Sequence, residues 1–185
     1  MAEHQVADDP AHFYLRHRNQ IEEWAALRDD AREVVDRALR RVEVPLRAFA
    51  EDVGGEVVVK DRWPRPWPAL TVTLPHWRTT SVQLSVGLAW DRRQLLVPHD
   101  NEWAWVGAYL QGEEKRLGTA VGERFARLAD YHGYLREAGW PIWRYITPRP
   151  GPVDLTDYGE LVLGEVRSLW TLVTEELGST LQPSA

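Results

Sequence analysis

The sequence predicts an α+β fold: an antiparallel sheet with its helices mainly on one face. Three observations carry this expectation. Apolar residues recur at three- and four-residue steps near both ends, the period switches to two in the middle, and glycines and prolines punctuate the switches. The chain has 185 residues, 44% of them apolar and 27% charged, the balance of one globular domain. The expected organisation is a disordered lead over residues 1–8, a single domain over 9–178 and a loose tail over 179–185.

Asp9-Pro10 suits a helix start, the carboxylate capping free amides and the proline taking the first helical position. Phe13, Ile21, Trp24 and Leu27 then mark a first helix over about 10–28. Asp30 and Glu33 have capping-box spacing ahead of Val34, Val35, Ala38, Leu39, Val42, Leu46 and Phe49, which predicts a second helix to about Asp52. Pro45 should kink or split it near Glu43, and Gly54-Gly55 should end it.

Strand spacing follows. Glu56–Lys60 is valine-rich, Leu70–Leu74 alternates, and Val82, Leu84, Val86 and Leu88 alternate strictly. Asp91-Arg92-Arg93 reads as a turn into a strand at Gln94–Val97, and Trp103–Leu110 supplies another. The intervening Trp63-Pro64-Arg65-Pro66-Trp67-Pro68 lacks three ladder donors and is expected as a loop or edge extension. These stretches make a meander of four to five strands. A third helix should open at Gly112-Glu113-Glu114 and run to about Ala138, with Gly133 a point of interruption. Trp140–Thr147 reads as a short strand, and a last helix should start near Asp154 or Asp157.

Composition excludes several chemistries. Without cysteine there is no disulfide, no thiolate metal site and no thiol nucleophile. Apolar runs stop at three or four residues, so no membrane span is expected, and the first ten residues lack signal-peptide order, which points to the cytoplasm. Asp100 with Glu113 and Lys115 imitates a metal-nuclease pattern. However, Glu and Lys two apart share a face only on a strand, and here they head a predicted helix. His12 and His17 are five apart, off the spacing of a two-histidine metal face. No nucleophile elbow, phosphate loop or dinucleotide fingerprint occurs. No catalytic residue, metal ligand or cofactor is therefore expected.

Charge and tryptophan are unevenly spread. The net charge is −6, yet residues 60–93 hold six basic residues against two acids, a local +4. Four of the ten tryptophans, Trp63, Trp67, Trp77 and Trp90, lie in that segment. Tryptophan and arginine are the favoured anchors of protein interfaces, and proline stiffness lowers the cost of ordering a loop. Arg62, Trp63, Arg65, Trp67, Trp77 and Arg78 are thus the expected binding surface. The same residues suit stacking and phosphate contact with nucleic acid, the alternative reading.

Near the C-terminus stand Trp140-Pro-Ile-Trp143-Arg-Tyr145, Asp154-Leu-Thr-Asp157-Tyr158 and Leu169-Trp170, with Gly107 and Tyr109 before them and Ile21-Glu-Glu-Trp24-Ala-Ala-Leu27 near the other end. Together, over residues 14–178, they resemble the non-catalytic C-terminal region of prokaryotic proteins with a PD-(D/E)xK nuclease-like core, associated with phage defence or restriction. The nuclease motif of such proteins lies upstream of the similar region, so no functional residue carries over. The resemblance implies an accessory or recognition domain. The expected function is therefore non-enzymatic interaction with a protein partner, in a defence or toxin–immunity context. A nucleic-acid-binding accessory role is the first alternative and a divergent metal nuclease the second.

Overall fold

The computed structural model describes residues 10–61, 67–78, 83–97, 102–111, 119–149 and 151–177. Two helices, α1 (Pro10–Arg41) and α2 (Glu43–Asp52), precede four strands, β1 (Glu56–Lys60), β2 (Ala69–Thr73), β3 (Gln83–Ala89) and β4 (Ala104–Gln111). Helix α3 (Thr119–His132), the hairpin β5 (Leu135–Glu137) and β6 (Trp140–Ile146), and helix α4 (Leu155–Leu177) complete the order. The sheet runs β1-β2-β3-β4-β6-β5, and every neighbouring pair is antiparallel. The fold is α+β, as the sequence predicts. Among the described residues no helix is long and apolar enough to cross a membrane.

Several boundaries differ from expectation, each for a local reason. No glycine or proline stands between Ala11 and Val44, so α1 continues unbroken through Asp30 and the capping-box spacing there caps nothing. The break falls at Val42, three residues before Pro45, where the proline ring restricts the preceding turn. Residues 94–97 form no strand. The amides of Gln94 and Leu95 both donate to the Asp91 carbonyl, at 3.0 and 3.2 Å, and Leu96 takes a φ of +59°. Gly133, at φ +68°, ends α3, which frees Leu135–Glu137 to pair with β6 as a sixth strand. The expected start of the third helix at Gly112 lies outside the described residues. Asp154, not Asp157, caps α4: its Oδ1 accepts from the amides of Thr156 and Asp157 at 2.7 and 3.3 Å. Those two amide bonds hold the Asp154 carboxyl below its ordinary value.

One face of the sheet carries the core. Leu70, Val72, Leu84, Val86, Leu88, Val106, Ala108 and Ile142 lie there in register, against Leu39 and Leu46 of α1 and α2, Phe125 of α3, and Val162, Val166 and Val173 of α4. Glu165, the polar residue in the α4 stripe, meets Arg144 of β6, whose guanidinium also stands 5.0 Å from the Tyr134 ring. At the start of α4 the buried Tyr158 hydroxyl donates to the Ile146 carbonyl at 2.7 Å, and burial raises its pKa.

The opposite face is shaped by glycine. Thr71, Gly87, Gly107 and Trp143 form one cross-strand row. A Cβ on Gly87 would fall 2.1 Å from the Leu70 carbonyl oxygen and 2.5 Å from Thr71 Cα; one on Gly107 would fall 2.7 Å from the Ile142 carbonyl oxygen and from Trp140 and Trp143 side-chain atoms. Such crowding arises where strands bend toward each other, so the sheet is concave on this side. Gly87→Ala and Gly107→Ala should each destabilise the protein by about 1–3 kcal/mol in denaturant unfolding, the cost of overpacking. By contrast Gly164→Ala, on α4 with nothing within 4 Å of the added methyl, should stabilise by up to ~1 kcal/mol.

Candidate binding trough

The concave face holds a trough of about 1180 Å³. Strand alternation places Trp105 and Tyr109 of β4, and Trp143 and Tyr145 of β6, on this side, while Val106, Ala108 and Ile142 point to the core. Trp140, where the β5–β6 hairpin returns, completes the cluster. Its ring centroid lies 5.9 Å from Trp105 and 5.1 Å from Tyr109, and Trp143 and Tyr145 stand 5.0 Å apart, all at steep interplanar angles. These five rings are half-buried. Ala69 and Ala89 make a low floor beside them.

Lys60 closes the far wall. Its Nζ lies 3.6 Å from the Tyr109 ring centroid and 3.3 Å from Gln111 Oε1. Strands β1 and β4 are three apart, about 14 Å across a flat sheet, so this contact requires the curvature set by the glycine row. Trp67 and Asp91 form one end. Trp67 is 54% exposed, but its Nε1 donates to Asp91 Oδ2 at 3.1 Å, and Asp91 Oδ1 accepts the Arg93 amide at 2.8 Å.

Beneath that end the alternation turns Trp90 and Arg92 toward the helices. Trp90 Nε1 and Arg92 Nε donate to Asp36 Oδ1 of α1 at 2.8 and 3.1 Å, Arg40 Nε donates to Asp36 Oδ2 at 2.8 Å, and both arginines also bind Asp61. Burial pushes the Asp36 carboxyl upward, but the Arg40 and Trp90 hydrogen bonds and the two guanidinium charges leave it lowered overall. The Arg40 hydrogen bond is the main reason that Asp61 is lowered too.

The residues that the sequence singled out are scattered. Arg62, Trp63 and Arg65 lie outside the described residues, as do Asp100, Glu113 and Lys115. Trp77, expected on the binding surface, is instead a core residue at 3% exposure: a 3-10 turn at Pro75–Trp77 lays its ring 4.8 Å from that of Trp170. Arg78 pairs with Glu56. Of the six, only Trp67 is placed at the trough among the described residues. Sequence reasoning missed the β4 and β6 aromatics, although Trp105, Gly107 and Tyr109 alternate with apolar residues as one face of a strand. No group of three acidic or histidine side chains able to hold a metal ion occurs among the described residues. No family model, curated protein or solved structure matches the chain.

Because Asp36 and Asp61 bind protons less tightly in the folded state, their contribution is complete above the ordinary carboxyl value of 3.8 and is lost as the pH falls through the lowered folded values. Thermal melts should therefore show a midpoint that drops below about pH 4. Asp36→Asn should cost about 1–3 kcal/mol at pH 7 and flatten that acid-side drop.

Proposed function

We propose that this chain is a non-catalytic binding protein that holds an extended segment of a protein partner in the aromatic trough. The observation that carries the reading is the half-buried cluster of Trp105, Tyr109, Trp140, Trp143 and Tyr145, gathered on a concave face that no described helix residue lines. Concave, mainly apolar surfaces with a few polar groups at the margin are the usual form of a binding site, and tryptophan is the favoured anchor. Trp143 Nε1 adds a buried donor with no acceptor among the described residues, and an extended segment brings main-chain carbonyls.

Charge favours protein over nucleic acid. Lys60 and Arg93 at the trough are balanced by Asp91 and Glu137, and Arg78 and Arg92 of the basic segment are paired to carboxylates. A site that tracks a phosphate backbone needs an excess of positive charge. The partner is placed, as part of the same proposal, in a defence or immunity assembly, in which this chain serves as the accessory or recognition component.

Peptides selected from a displayed random library against the whole chain provide the test. Trp105→Ala and Trp140→Ala should each weaken a selected peptide at least tenfold by calorimetry, the loss expected of interface anchors. Arg47→Ala, on the distant face of α2, should leave affinity unchanged. Undiminished affinity in both tryptophan variants would overturn the trough as the site. Retention on single-stranded DNA at ~50 mM salt that fades as salt rises would favour the nucleic-acid reading instead.

A further inference from the structure

Helix α1 is 32 residues long, yet its first buried residue is Val35. Phe13, Tyr14, Leu15, Trp24, Leu27 and Val34 are all exposed. A helix of this length is ~48 Å long, and most of it runs without a buried side chain. Isolated helices are marginal in water, so most helical stability comes from packing an apolar face. That face is present. Three adjacent heptad rows form one stripe: Phe13-Gln20-Leu27-Val34, His17-Trp24-Ala31 and Tyr14-Ile21-Arg28-Val35.

We propose that α1 pairs antiparallel with α1 of a second copy about a two-fold axis at Trp24. That axis sets each row against the same row of the other helix. The middle row meets itself, with Trp24 on Trp24 and His17 on Ala31. Each outer row likewise faces its own copy, bringing Phe13 to Val34 and Leu27 to Gln20 on one side and Ile21 to Arg28 on the other. Charge selects the same arrangement. Residues 10–20 carry Arg16 and Arg18 and no acid, whereas residues 21–33 carry Glu22, Glu23, Asp29, Asp30 and Glu33 against Arg28 and Arg32. An antiparallel pair lays the basic half of each helix along the acidic half of the other, with Arg16 beside Asp30. A parallel pair sets like against like. The interface is isologous and closes on itself, giving a dimer and no larger assembly. The bodies sit at opposite ends of the pair, since Arg32 already bonds the Leu95 carbonyl at 2.6 Å where α1 reaches its own core.

Sedimentation of the full chain at about 100 μM should give a dimer, and Trp24→Glu should give a monomer with an unchanged near-ultraviolet spectrum from the body. Arg16→Asp and Asp30→Arg should each weaken the dimer roughly tenfold, and the double variant should restore it, because each reversal acts twice across the axis. The chain has no native cysteine, so direction can be read by oxidation. A mixture of Phe13→Cys and Val34→Cys proteins should cross-link, and neither alone should. A monomeric wild type, a failure of the double reversal to rescue, or cross-linking of Phe13→Cys with itself would overturn the proposal.

Discussion

Two missing side chains set the form of this molecule. Gly87 and Gly107 sit side by side in the third and fourth strands, and neither has a positive φ, so glycine is there for space and not for backbone freedom. With both methyl positions empty, β2, β3, β4 and β6 close toward one another on one side. The same bend makes the other side convex, where long apolar residues spread against the helices. The core and the trough are thus two results of one steric condition, and the Lys60–Tyr109 contact across three strands exists only because that condition is met.

The segment 89–93 shows how one run of chain serves both sides. Ala89, Asp91 and Arg93 line the trough; Trp90 and Arg92 turn to the helices and bind Asp36. The charged groups beneath the trough are therefore structural. Arg40 and Arg92 bridge Asp36 and Asp61, tying α1 to the residue that follows β1 and to the chain leaving β3. The excess of basic residues that stood out in the sequence is in part spent on this clamp, with Arg92 in it and Arg78 paired to Glu56. A local net charge counted along the chain says nothing about which acids from distant helices will meet it.

Much of the fold was legible. Alternation at Leu84, Val86 and Leu88, the last helix starting beside Asp154, and the run Trp140–Ile146 all took the predicted form. The errors came where a local signal had no competitor in view. Asp30 looked like a cap because Glu33 followed at the right spacing, but Ala25, Ala26 and Ala31 favour continuing a helix that nothing interrupts. Leu95 and Val97 looked like a strand because they are apolar; Asp91 instead draws the chain into a turn that buries Leu95 completely. The trough was harder to see. Its aromatics lie on β4 and β6, which α3 and β5 separate in sequence, and no alternation within either strand reveals that the two are neighbours. Tryptophan, basic charge and proline stiffness together drew attention to the proline-rich stretch, whereas Trp77 proved to be core and the gathered rings lay further along.

Lysine is nearly absent from this chain, with only Lys60 and Lys115 among its 22 basic residues. One of those two amines stands at the trough wall with its ammonium against an aromatic ring. Acylating reagents thus meet only two lysine amines besides the α-amine, one of them at the cavity, and arginine, which carries most of the positive charge, is indifferent to them. The speed at which the Lys60 amine is consumed, read against the other amines by peptide mass mapping, becomes a chemical gauge of whether the cavity is empty or filled, with no engineered residue or knowledge of the occupant required.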